Sequence, residues 1–149
     1  MSRKDTYHDV VKQCVIKEGW TVTHDPYIFG TDPRLIADLG AERVIAAERK
    51  HEKIVIEIKS FLRTSQVVDL EDAVGKYSVY NIFLHIFLQQ QEPDRKLWLA
   101  VPLHAFENIL SREVGRITLE AMRIPIIVYS LTGEEPLTWK IPKNSTNSA

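Results

Sequence analysis

Residues 53–61, Lys-Ile-Val-Ile-Glu-Ile-Lys-Ser-Phe, alternate along their whole length. A period of two is the signature of a strand whose two faces meet different surroundings. Ile54, Ile56 and Ile58 share one face and demand a core. Lys53, Val55, Glu57, Lys59 and Phe61 share the other, so a carboxylate and an ammonium two residues apart point the same way. A chain built round such a strand has to bury one of its faces and place the Glu57–Lys59 step at its end. On an ordinary solvated face the step is a weak ion pair, so its meaning depends on what the rest of the chain brings to it.

The flanking sequence supplies helices and further strands. Tyr7, Val10, Val11, Cys14 and Val15 recur at helical spacing within Thr6–Lys17, and Gly19 stops the helix. Thr6 followed by Asp9 fits a capping box. Trp20–Thr23 reads as a short strand, His24-Asp25-Pro26 as a turn, and Leu35–Leu39 as a second strand carrying Asp38. Arg43–Arg49 continues that strand after an irregularity at Gly40. Arg49-Lys50-His51-Glu52 is a polar turn, so the strand at 54–61 closes a hairpin and brings Asp38 beside Glu57. Val67–Gln90 is a long helix with a core stripe through Leu70, Ala73, Val74, Tyr77, Tyr80 or Asn81, Leu84 and Phe87. Its second half adds Val79, Ile82, Phe83 and Ile86, so it is apolar nearly all round and points to a homo-oligomer or a partner groove. Leu97–Val101 is a strand ended by Pro102. His104–Met122 is a helix with a weak point at Gly115. Ile124–Tyr129 is the last full strand, with a short closing segment through Trp139. The order describes a single α/β domain over residues 1–143, a mixed sheet flanked by helices, and a disordered tail over 144–149.

Composition excludes several classes. The formal net charge is −1 and 44% of residues are hydrophobic, which gives a real core but not the basic excess of a dedicated nucleic-acid binder. One cysteine, Cys14, forbids an internal disulfide and suits a reducing cytoplasm; its place on an apolar helix face makes it a packing residue. No signal peptide is expected, and Val79–Leu88 is too short to span a membrane. The five histidines form no zinc motif, and neither a glycine-rich phosphate loop nor a serine-hydrolase elbow is present. Trp98 and Trp139 read as packing residues, and Arg43, Arg49, Lys50, Lys53 and Arg63 as solvated charges with a secondary option of meeting a DNA backbone.

The carboxylates suggest metal chemistry. Asp38, Glu57 and the Ile58 carbonyl offer three oxygens to a hard cation such as Mg²⁺ or Mn²⁺. Lys59 beside them can orient an attacking water and offset charge on a phosphorane-like transition state.

Asp38 followed by Glu57-Ile58-Lys59 at the end of an apolar strand, behind one helix and before another, resembles the PD-(D/E)xK nuclease superfamily. More specifically, Tyr7-His8-Asp9, Gly19-Trp20-Thr21, His24-Asp25-Pro26, Asp38-Leu39-Gly40-Ala41-Glu42, Ala46-Ala47-Glu48, Val55 through Phe61 and Leu99-Ala100-Val101-Pro102 resemble the XisH family, the cyanobacterial fdxN-element excision controlling factors. The resemblance implies a restriction-endonuclease-like core and a role on DNA during element excision, beside a site-specific recombinase and a companion protein, XisI. It gives Asp38 the first motif acid, Glu57 the second and Lys59 the lysine. It offers Asp9 as a first-helix acid, against the capping-box role, and Lys76 and Tyr80 as phosphate contacts, against a solvated lysine and a core tyrosine. The family tends to glutamine at the position of Lys76. Ala37 stands where the motif has proline. The long gap to Glu57 leaves Glu48 as a rival acid and Glu42 as a further one.

A catalytically silent nuclease-fold scaffold that binds DNA or XisI and regulates the recombinase is the other reading.

Overall fold

The computed structural model describes residues 6–47, 50–88, 92 and 94–142. Helix α1 (His8–Lys17) leads into strand β1 (Thr21–His24), a small hairpin of β2 (Tyr27–Phe29) and β3 (Leu35–Ala37), and a large one of β4 (Leu39–Ile45) and β5 (Lys50–Ile58). The long helix α2 (Gln66–Leu88) crosses over to β6 (Lys96–Pro102). Helices α3 (Leu103–Glu107) and α4 (Glu113–Ala121) return the chain to β7 (Ile126–Tyr129), and β8 (Thr138–Lys140) closes it. Six strands form a mixed sheet in the order β1-β4-β5-β6-β7-β8. β5, β6 and β7 are parallel, because helical crossovers join them; β1, β4 and β8 run antiparallel to their neighbours.

The alternation in 54–58 sorts the core as its period demands. Ile54, Ile56 and Ile58 pack with Val11, Cys14 and Val15 of α1. Val55 faces the other way, among Leu70, Ala73 and Tyr77 of α2. Both faces are covered, so residues 54–58 are all buried.

Several expected boundaries move. β5 starts at Lys50, so Lys50, His51 and Glu52 belong to the strand rather than to a turn, and it ends at Ile58. Phe61 turns the chain away with φ +52°. Leu35–Leu39 is not one strand: it breaks at Asp38, where the chain leaves the small β2–β3 sheet and enters the large one. Gly40 pairs regularly with Val55 of β5, and the irregularity expected there falls on its other side, where the register with β1 shifts between Val22 and His24. A side chain on Gly40 would strike the Tyr27 ring, 2.7 Å from an ideal Cβ. The expected helix at 104–122 is two helices, and the break falls at 108–112 rather than at Gly115. Gly115 is instead the point where α4 lies against the backbone of Ile109 and Leu110. The capping box is absent: α1 begins after Tyr7 with no side-chain cap. The tail at 144–149 lies outside the described residues.

Trp98 and Trp139 pack edge to face, 5.0 Å apart, and Trp139 stacks on Trp20 at 5.5 Å. Cys14 is buried. Among the described residues no helix is long and apolar enough to cross a membrane. Along α2 the buried residues include Leu70, Ala73, Tyr77, Leu84 and Leu88. Val79, Ile82, Phe83 and Ile86 stand exposed on its outer side.

Candidate functional site

The break at Asp38 and the end of β5 are one construction. Leu39 pairs with Ile56, so Asp38 emerges beside Glu57 and Ile58. Having left one sheet and not yet entered the other, Asp38 uses its side chain where a backbone ladder would continue: Oδ2 accepts the Ile58 N–H at 2.6 Å. The Asp38 and Glu57 carboxyls lie close enough to perturb each other's proton affinity. From α2, the Lys76 ammonium reaches Glu57 Oε2 at 2.5 Å and lies 5.3 Å over the Tyr80 ring. Tyr80 sets its edge against Phe29. The group sits at the carboxyl end of a parallel strand, where open α/β sheets place ligands.

Glu57 is only 3% exposed. Burial, followed by the charge of Asp38, pushes its carboxyl up to about 8 against the pull of Lys76. Burial likewise raises Asp38, although the Ile58 N–H opposes it. Lys76 is held above its ordinary value because Glu57 outweighs the burial that works against its charge. Two carboxyls thus share a site that lacks the positive charge to ionise both, and one proton remains between them at neutral pH. Glu57 Oε1 is buried with no hydrogen-bond partner among the described residues.

That orphan oxygen and the shortage of positive charge fit a hard divalent cation. Asp38 and Glu57 would hold it, with the Ile58 carbonyl on the same strand end as the further oxygen. Among the described residues no three His, Cys, Asp or Glu side chains converge on one point.

The other expected residues fall out differently. Lys59 directly follows β5; its N–H donates to the Ala100 carbonyl at 2.9 Å and its own carbonyl accepts the Tyr129 hydroxyl at 3.1 Å. Its ammonium makes no ion pair among the described residues, unlike that of Lys76. Asp9 is exposed on the outer side of α1 and is not brought to Asp38 or Glu57. The residue of α1 that is brought there is its neighbour His8, 3% exposed, with Nδ1 3.8 Å from Asp38 Oδ1. His8 Nε2 lies 2.7 Å from Asp25 Oδ1, and Lys12 donates to Asp25 Oδ2 at 2.7 Å. Spacing alone could not single these out; their only signal was that Tyr7-His8-Asp9 and His24-Asp25-Pro26 are both shared motifs. Glu48 and Arg49 lie outside the described residues. Glu42 is engaged by the buried Arg95 at 3.1 Å. Arg43 pairs with Glu52, Lys53 with Glu92 and Arg63 with Asp72, so these three cations serve the protein's own carboxylates.

The model of a family described as XisH protein matches residues 1–136. An XisH family protein from Nostoc punctiforme superposes with a TM-score of 0.73 at 29% identity, covering 91% of this chain and 98% of that one. An fdxN element excision controlling factor protein from Anabaena variabilis does so with a TM-score of 0.74, again at 29% identity and with the same coverage. No curated protein sequence matches. The chain belongs to the XisH family.

Proposed function

We propose that this protein is a nuclease-like factor that controls excision of a DNA element, hydrolysing a phosphodiester with the help of Mg²⁺. The observation that carries the reading is the carboxylate pair of half-buried Asp38 and buried Glu57, with the unpartnered Oε1 of Glu57, two residues from Lys59. The name of the similar Anabaena variabilis protein supports the excision role. The helix–strand–hairpin–helix–strand order around the pair supports reading the fold as a PD-(D/E)xK core, in which Asp38, Glu57 and Lys59 take the motif positions.

Asp38 and Glu57 would hold the Mg²⁺, which would supply Lewis acidity toward the phosphoryl oxygens and the attacking water. Lys59 orients the attacking water and offsets charge on the phosphoryl oxygens. Lys76 and Tyr80, one turn apart on α2, contact the phosphate. The water oxygen bonds to phosphorus and one of its protons passes to solvent, the phosphorus–oxygen bond to the leaving strand breaks, and solvent protonates the leaving oxygen.

Calorimetric Mn²⁺ titration tests the reading without a substrate. Saturable binding by the wild type, lost in Asp38→Asn and in Glu57→Gln, is expected. A folded wild-type protein that takes up no Mn²⁺ refutes the metal-dependent reading.

One observation favours a second reading, a silent scaffold that docks XisI, a recombinase or a second copy of itself. Val79, Ile82, Phe83 and Ile86 form an exposed apolar stripe at helical spacing on α2, with exposures of 47, 58, 51 and 66%, and such a stripe marks an interaction surface. Sedimentation of the protein alone and with XisI, before and after Ile82→Glu with Phe83→Glu, separates the two.

A further inference from the structure

His8 is a buried imidazole with one nitrogen engaged and one open. Lys12 and His8 both bond Asp25, and these two hydrogen bonds outweigh burial and hold its carboxyl below the ordinary value. An ionised carboxylate only accepts hydrogen bonds, so His8 Nε2 must carry the proton it donates to Asp25. In the neutral ring that leaves the lone pair on Nδ1. Nδ1 is buried with no hydrogen-bond partner among the described residues, and it faces Asp38 Oδ1 at 3.8 Å. Two acceptors at that separation cannot bond each other, yet one oxygen atom can lie about 2.8 Å from both. Buried acceptors left open are uncommon, and this one is aimed into the carboxylate site.

We propose that His8, oriented by Asp25, is a water-positioning residue of this site: Nδ1 and Asp38 Oδ1 together accept the two hydrogens of the attacking water and so turn a lone pair toward phosphorus, and the proton released as the new bond forms passes on to solvent. Asp25 acts one step further out, as a positioning residue that selects the imidazole tautomer, and Lys12 fixes Asp25. The inference rests on the hydrolytic reading above. It explains why the first turn of α1 turns His8 inward and Asp9 outward, and why the turn at His24-Asp25-Pro26 lies against that helix.

The test compares the wild type with His8→Gln and Asp25→Asn. Glutamine reproduces the Nε2 donor to Asp25 and removes the Nδ1 acceptor. Asparagine at 25 can donate to Nε2, which moves the ring proton to Nδ1 and turns it from acceptor into donor. The probe is bis(4-nitrophenyl) phosphate with Mn²⁺, read as kcat and KM separately, beside the Mn²⁺ affinity and the ¹⁵N resonances of the imidazole. The expected result is an Nε2–H tautomer in the wild type and an Nδ1–H tautomer in Asp25→Asn. In both variants kcat falls about 10- to 100-fold while KM and Mn²⁺ affinity stay within about twofold. An Nδ1-protonated His8 in the wild type, or an active wild type matched by both variants, overturns this inference and leaves the hydrolytic reading standing. A wild type that binds Mn²⁺ but leaves the phosphodiester intact overturns the hydrolytic reading and this inference with it. Asp25→Asn keeps the size and shape of the side chain, so it carries the test where His8→Gln does not fold.

Discussion

Glu57→Gln should make the cation-free protein more stable, and the gain should depend on pH. The buried carboxyl holds its proton up to about 8, against an ordinary value of 4.5. A folded value above the unfolded one means that the native state binds the extra proton across this window. Stability is therefore full below about pH 4.5 and is lost as pH rises through 8. At about 1.4 kcal/mol per pH unit, the loss reaches about 4–5 kcal/mol by pH 8.5 and is about 1 kcal/mol at pH 5. Glutamine has no proton to lose, keeps the shape, and can still donate to Asp38. The attraction of the half-exposed Lys76 is already contained in the value of about 8. The net gain at pH 8.5 is therefore about 4–5 kcal/mol, or about 8–20 °C in Tm for a chain of this size. Thermal unfolding followed by circular dichroism in EDTA, at pH 5 and pH 8.5, measures it. The melting curves should lie within about 3 °C at pH 5 and separate at pH 8.5, with the variant higher. Adding Mn²⁺ at pH 8.5 should raise the wild type and not the variant. A variant that melts lower at pH 8.5, or by the same margin at both pH values, would show that Glu57 is not a strained buried carboxylate.

Further outcomes follow from other contacts. Gly115→Ala places a methyl group against the Ile109 carbonyl and should lower stability by about 1–3 kcal/mol in urea unfolding. Glu18→Ala removes the acceptor of the Leu137 N–H at 2.8 Å and of the Trp139 indole at 3.0 Å. It should cost about 1–3 kcal/mol and red-shift tryptophan emission as β8 loosens. Arg95→Met deprives Glu42 and Glu92 of their buried partner and should cost about 3–5 kcal/mol by the same urea assay.

The sheet and the place of the acidic pair were legible because each rested on a local pattern. Alternation marked the central strand, and a hairpin before it was enough to bring Asp38 to Glu57. What stayed hidden was set by tertiary contacts. Nothing local reveals that Asp38 would replace a ladder acceptor, so one broken strand read as a continuous one. The turn at 108–112 carries no proline or glycine, while Gly115, which looked like a breaker, is required by packing instead. His8 hid because helical spacing sorts apolar residues onto the buried face and offers no reason to put an imidazole among them. Its burial follows from Asp25, seventeen residues away, whose position depends on how β1 pairs with β4. Lys76 was legible as a residue one turn from Tyr80, but its reach to Glu57 depends on how closely α2 lies over β5.

Glu18 ties the end of the first helix to the last strand, across 119 residues to Leu137 and 121 to Trp139, and Cys14 touches the Gly133 carbonyl on the same seam. The first helix is therefore fastened by the last strand. Its apolar face, packed with Ile127 and Tyr129 of β7 as well as with β4 to β6, has no complete surface to lie on until that seam is closed. Contacts between parts so far apart in sequence are the kind that slow folding. His8 rides on the same helix, so the seam that holds α1 against the sheet also holds His8 beside Asp38.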